Sequence, residues 1–327
     1  MTSRPDPATL VSRMLAGDRL ALARLITHVE NRTGAVPAIM RAVHQRAQQA
    51  YVLGVTGPPG AGKSTIVDRL TAALRAGGRT VGIVAVDPSS PFTGGAVLGD
   101  RIRMQAHALD PGVFIRSMAT RGAFGGLARA TGNVIKLLAA FGLDWVLVET
   151  VGVGQTELDI MKLADTTVVV LVPESGDAIQ TMKAGLMEAA DVFVVNKADR
   201  PGAPALMAEL KFSAHLQYTG ATGRRDFDWE IPVLAAEAQN DVGIGALLAT
   251  IERHRAAQEA AGALAVRRRA RRRDEFRSLL VEEVSAALER RLAADDLART
   301  VEDVAEGRLD PYSAAEAVLG VLSLRPR

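Results

Sequence analysis

Residues 57–64 read Gly-Pro-Pro-Gly-Ala-Gly-Lys-Ser: a glycine, four free positions, then Gly-Lys-Ser. That spacing suits one chemistry, the cradling of a polyphosphate. Gly57, Gly60 and Gly62 let the backbone curl until successive N–H groups point at phosphate oxygens, with Pro58, Pro59 and Ala61 in the free positions. Lys63 supplies a mobile cation for the outer phosphates, and the Ser64 hydroxyl is a hard oxygen ligand for Mg²⁺. An apolar run at 51–56 precedes the loop and a helix-like stretch from Thr65 to Arg75 follows it, so the phosphates meet the positive end of a helix dipole. A glycine-rich turn that binds nothing lacks this strand–loop–helix setting. Gly57 to Thr65 are therefore expected to hold a nucleotide.

A second segment selects the base. The apolar run Val192 to Val195 ends in Asn196-Lys197-Ala198-Asp199. A carboxylate at Asp199 accepts from the ring N–H and the exocyclic amino group of guanine. Adenine offers neither donor there, so ATP would leave a buried acceptor unpaired, a discrimination of about ten-thousand-fold. Lys197 is expected along the base plane, and Asn196 is expected to tie loops together. Alone, these four residues read as a strand end and a turn. Downstream of a phosphate loop they point to GTP and GDP.

Two further apolar runs end in carboxylates. Trp145 to Val148 lead to Glu149, with Gly152 three positions later. Glu149 can hold Mg²⁺ directly or through water, and the Gly152 N–H can touch the γ-phosphate and sense its loss. Most small regulatory GTPases carry aspartate in place of Glu149, and glutamine directly after the glycine to orient the attacking water. Here Val153 follows, and the nearest glutamine is Gln155. Intrinsic hydrolysis is therefore expected to be slow and to depend on a partner. The run from Thr80 to Val86 ends in Asp87, a second carboxylate near the metal or a turn former. Asp100, after a glycine-rich loop at 92–99, reads equally as a metal-network carboxylate or a helix cap.

These residues need a scaffold, and the hydrophobic pattern supplies one. Strand-like runs at 51–56, 80–86, 112–116, 144–149, 166–172, 191–195 and 231–234 alternate with helical stretches, which predicts βαβ units and a doubly wound, mostly parallel α/β sheet over residues 51–256. Residues 1–50 read as a helical extension, with Leu10, Met14, Leu22, Leu25, Ile26 and Val29 at helical spacing and Asp18 as an N-cap. Residues 257–327 turn helical again. Phe276, Leu280, Val284, Ala287, Leu288 and Leu292 share one face, and a last helix opens at Asp310-Pro311. That stripe must be buried on its own domain or on a second copy of the chain.

Composition narrows the remaining classes. The chain of 327 residues has no cysteine, which excludes disulfides, thiolate metal sites and cysteine nucleophiles. The five histidines show no ligand-spaced pair, so no transition-metal cargo site is expected. Met1 to Pro7 lacks the apolar core of a signal peptide and no apolar run reaches the length of a membrane span, so a cytoplasmic protein without membrane contact is expected. Net charge is only +2, with basicity concentrated in Arg267 to Arg273. No aromatic side chains interleave that run for base stacking. It reads as a solvated helix face near a subunit contact, and nucleic acid is not an expected partner.

The stretches Gly17 to Arg24, Val86 to Pro91, Arg116 to Gly122 and Glu149 to Glu157 together resemble the MeaB/MMAA family, whose members were often labelled ArgK or LAO/AO transport system ATPase. The resemblance spans nearly the whole chain. It implies a metallochaperone-class GTPase that gates cofactor loading of, and protects, an adenosylcobalamin-dependent acyl-CoA mutase, above all methylmalonyl-CoA mutase. It also implies a homodimer formed through the C-terminal arm. By motif, Lys63 and Ser64 serve phosphate and Mg²⁺, while Asp87, Asp100 and Glu149 belong to the Mg²⁺ and switch network with Gly152. Asn196, Lys197 and Asp199 read guanine, with Ala235-Ala236-Glu237 near its carbonyl. Pro173 to Lys183 resembles a further switch that senses the partner through Lys183. Two other readings stand beside this one. An ATP-dependent kinase or transport energiser is opposed by Asn196 to Asp199, and an RNA- or ribosome-associated GTPase would use Arg267 to Arg273.

Overall fold

A computed structural model of the chain describes residues 6–47, 50–87, 105–119, 126–150, 158, 161–175, 189–219, 227–292 and 295–321. It divides into two compact units, Met1–Arg268 and Arg269–Arg327.

The first unit is built on seven strands: β1 (Tyr51–Thr56), β2 (Val81–Asp87), β3 (Val113–Ala119), β4 (Trp145–Thr150), β5 (Thr166–Leu171), β6 (Val192–Asn196) and β7 (Val233–Ala236). They lie in the order β3-β2-β4-β1-β5-β6-β7, and every pairing is parallel. The strands fall on the seven apolar runs, with ends displaced by up to three residues. Valine dominates them, as expected of strands buried on both faces. Because β2, β3 and β4 wind to one side of β1 and β5 to β7 to the other, the carboxyl end of β1 marks the point where the topology switches direction. Ligands of open α/β sheets bind there.

Alternation along the strands splits the core. On one face Val55 and Leu147 pack with Ile66 and Leu70 of α4 (Lys63–Ala76) and with Leu247 and Ile251 of the helix Ile244–Ala260. On the other, Val52, Val146 and Val148 pack with Val134 and Leu138 of α5 (Gly126–Phe141). This second layer continues into α1 (Pro7–Leu15), α2 (Arg19–Glu30) and α3 (Val36–Val43), whose Met14, Leu22, Leu25 and Ile26 are fully buried. Beyond β5, the helix α6 (Ala203–Thr219) covers Phe193 and Val195. The helix Ile244–Ala260, α7, is followed by α8 (Ala263–Leu292).

Asp18 caps α2, accepting from Leu20 N and Ala21 N at 2.9 and 3.0 Å. The next residue, Arg19, donates to Pro111 O and Val113 O, which ties α2 to the start of the edge strand β3.

The arginine run departs from its expected solvated face. Arg269, Arg272 and Arg273 are exposed, but Arg267 and Arg268 are half-buried. Arg268 grips Asp165 through Nε at 3.1 Å and Nη2 at 2.5 Å, and Arg267 donates to Asp165 O and to Asp191 Oδ2 at 3.0 and 3.4 Å. Asp165 and Asp191 precede β5 and β6 and are buried to 0% and 2% exposure. They anchor a polar cluster under the amino edge of the sheet, in which His254 contacts Thr166 Oγ1 at 2.6 Å and Asp191 Oδ1 at 3.5 Å. Tyr51 OH meets the same threonine at 2.5 Å, and burial pushes the Tyr51 hydroxyl pKa upward. Two carboxylates buried this deeply require such partners.

The second unit holds most of α8, then α9 (Asp295–Ala305) and α10 (Pro311–Val321). Asp310 caps α10, accepting from Tyr312 N and Ser313 N, and Pro311 takes its first position. Along α8, Phe276, Leu279, Leu280, Val281 and Val284 are exposed. Among the described residues, no helix is long and apolar enough to cross a membrane.

Candidate nucleotide site

The phosphate loop leaves β1 at Thr56 and enters α4 at Lys63. Its shape depends on two close approaches. Gly57 has φ 145°, and a Cβ there would stand 2.0 Å from Val170 O of β5. Gly62 caps α4 in the left-handed region at φ 87°, and a Cβ there would meet Asn196 Nδ2 at 2.3 Å. Glycine is required at both positions. Pro58 and Ala61 are buried, Pro59 and Gly60 exposed, and Thr65 half-buried in the first turn of α4.

Lys63 is buried to 5% exposure, and its Nζ donates to Gly57 O and Pro58 O, both at 2.9 Å. Ser64, 6% exposed, donates through Oγ to Glu149 Oε1 at 2.6 Å, and Glu149 itself is 1% exposed. The strand alternation explains this contact, because Glu149 shares the α4 face of β4 with Leu147. A hydroxyl and a carboxylate so close form a hard-oxygen pair of the kind Mg²⁺ takes. Among the described residues no three His, Cys, Asp or Glu side chains converge as a metal cluster.

The base-reading segment is tied to the same loop. Asn196, 3% exposed, donates to Ala61 O at 2.8 Å and accepts from Ala238 N at 3.1 Å. Lys197 adopts a left-handed backbone, φ 57°, and donates to Gly60 O at 3.0 Å. Ala198 N donates to Ala236 O at 3.1 Å, which brings the end of β7 beside this turn. Asp199 and Ala235 are exposed there, and Ala236 is buried. The structure thus gathers Lys63, Ser64 and Glu149 at one point and Ala61, Asn196, Lys197 and Ala236 at a second.

Asp87 closes β2, beside β4, but its side chain is not among those described. Asp100, Gly152 and Lys183 lie outside the described residues, as does most of the Pro173–Lys183 segment.

Two contacts at this end of the sheet escape a reading of the sequence. Arg200, next to Asp199, is ion-paired with Glu174 in the turn after β5, and that guanidinium holds the Glu174 carboxyl below the usual range. Thr150 Oγ1 donates to Thr56 Oγ1 at 2.9 Å. Thr150 lies in the Glu149 to Glu157 stretch and Glu174 in the Pro173 to Lys183 segment, but neither stretch names the partner its residue takes. For the threonines the available signal is a polar residue at the end of an otherwise apolar strand.

A parallel sheet with a glycine-rich loop at its switch point, tied to Asn-Lys-x-Asp, defines a P-loop GTPase. Residues 22–293 match the family described as methylmalonyl Co-A mutase-associated GTPase MeaB, and the chain belongs to that family. A Pyrococcus abyssi protein is 48% identical over 310 residues, covering 95% of either chain. The mouse protein named methylmalonic aciduria type A homolog, mitochondrial, is 31% identical over 332 residues, covering 97% of this chain and 79% of its own. The crystal structure of an LAO/AO transport system kinase aligns over 98% of this chain and 100% of its own, with a TM-score of 0.69 and 28% identity.

Proposed function

We propose that the protein is a slow, Mg²⁺-dependent GTP switch that gates cofactor loading of, and protects, an adenosylcobalamin-dependent acyl-CoA mutase. The observation that carries this reading is the family match over 22–293, whose description names a mutase-associated GTPase. The site geometry supports the switch. Lys63, resting on two loop carbonyls, exchanges them for the outer phosphates of GTP. Ser64 and Glu149 would hold Mg²⁺, with Asp87 and Asp100 completing the network, and the chemistry supplied there would be neutralisation of charge on the phosphate oxygens. Asn196 and Lys197 brace the loop, so that Asp199 reads guanine with Ala235 and Ala236 alongside. Val153 stands where a water-orienting glutamine would be, so turnover waits on a partner, sensed through Gly152 and Lys183.

No cysteine is present to carry a metal, which favours gating a cofactor over delivering one. The exposed stripe of α8 supports a homodimer, since an apolar face of that length is ordinarily covered. The test is GTP hydrolysis by the full chain with and without methylmalonyl-CoA mutase, repeated with ATP. Stimulation confined to GTP is expected. An unstimulated rate with every cobalamin-dependent acyl-CoA mutase, or a preference for ATP, would overturn the reading.

A further inference from the structure

We propose that Thr150 is a positioning residue for GTP hydrolysis, acting through its hydrogen bond to Thr56. The inference rests on reading Ser64 and Glu149 as the Mg²⁺ pair. The ladder between β1 and β4 runs from Tyr51 opposite Trp145 to Val55 opposite Glu149. One residue further on, the two hydroxyls meet at 2.9 Å and prolong the link by side chains. From that point β1 becomes the phosphate loop, while the residue before Thr150 is Glu149, whose carboxylate reaches Ser64 at 2.6 Å. The hydroxyl pair therefore sets the spacing between the strand that launches the loop and the strand that carries the carboxylate.

Stability alone does not call for this pair. Both threonines are fully buried, on the sheet face where Val146 and Val148 pack against α5. Valine has the same shape, suits a strand as well, and carries no hydroxyl to desolvate. Replacing both members of a buried hydrogen-bonded pair by apolar isosteres is often neutral or stabilising. Polar groups retained where apolar ones would pack as well point to a demand for geometry, and a small misplacement of a reacting group is costly in rate.

The test is single-turnover GTP hydrolysis at saturating Mg²⁺ by the full chain, with the GTP dissociation constant and thermal midpoint measured in parallel. Thr150→Val should be slower by about tenfold, with GTP affinity within about twofold of wild type. Thr150→Ser, which keeps the hydroxyl, should restore most of the rate. The double variant Thr56→Val/Thr150→Val should be no faster than Thr150→Val, and a thermal midpoint of Thr150→Val close to that of wild type separates lost positioning from lost fold. A wild-type rate in Thr150→Val overturns the proposal, as does a Thr150→Ser variant as slow as Thr150→Val. Glu149→Gln tests the underlying reading separately: it should raise the Mg²⁺ concentration needed for half-maximal rate, and an unchanged Mg²⁺ dependence would remove the metal role whatever Thr150 does.

Discussion

At the carboxyl edge of the sheet, Lys63, Asn196 and Lys197 donate to carbonyls of the phosphate loop. At the amino edge, Asp165 and Asp191 face charged partners, Arg268 and Arg267. Both edges bury their charge deeply, yet they hold it by different means. A loop carbonyl is a partner that a ligand can replace at small net cost, because one hydrogen bond is exchanged for another. A counter-charge inside a desolvated cluster is not replaceable, because removing it leaves its mate stranded. Among the described contacts, the edge that must act thus holds Lys63, Asn196 and Lys197 on exchangeable loop carbonyls, and the edge that must hold ties its buried carboxylates to arginines. Substitutions at the two ends should therefore separate activity from stability.

The largest effect is expected at the carboxyl edge. Lys63→Ala should lower GTP hydrolysis by about 100-fold or more, as loss of one charge-stabilising group does in other active sites. Its thermal midpoint should stay close to wild type, because the two contacts to Gly57 O and Pro58 O that it gives up are hydrogen bonds to a loop, each of modest net worth. Parallel rate and melting measurements check this, and a large loss of stability would dissolve the distinction between the edges.

The mirror-image substitution comes next. Arg268→Ala removes the partner that reaches both oxygens of Asp165, itself 0% exposed. Breaking one side of a buried pair should cost on the order of 3 kcal/mol in urea unfolding. GTP affinity of the folded fraction should be unchanged, the phosphate loop being at the opposite end of β1. A cost below about 1 kcal/mol would make the pair an ordinary surface contact.

These ends also differ in how far the sequence discloses them. The phosphate loop is legible because its demands are local: eight consecutive residues contain the turn, the cation and the hydroxyl. The sheet is legible because valine-rich runs recur between amphipathic stretches. The amino-edge cluster is not legible, because Asp165 and Arg268 stand 103 positions apart and each alone reads as a turn former or a surface charge. Arg267 and Arg268 are hidden a second way, at the head of a run in which Arg269, Arg272 and Arg273 are exposed. Glu149 lies between the cases. Its place at a strand end is visible, but its contact with Ser64 depends on which face of β4 it takes.

The smallest effect sharpens the comparison at the solvated margin of the amino edge. Asp18 is held by backbone N–H donors of α2, Ala21 foremost, and by Arg13, which together keep its carboxyl below the usual range. Because the folded value is depressed, the stabilisation is present above the unfolded carboxylate range and is lost as pH falls through the folded value. Asp18→Ala should therefore lower the thermal midpoint by a few degrees at about pH 7. The gap from wild type should narrow as pH is lowered toward about 3, since the protonated carboxyl is a poorer acceptor for those N–H groups. The neighbouring Arg19 grips the edge strand β3 through carbonyls and should be untouched by that titration. A gap that stays constant across this range would mean that the Asp18 charge adds nothing to the hold of α2, which then rests on packing of Leu22, Leu25 and Ile26 and on the Arg19 and Glu30 contacts with β3.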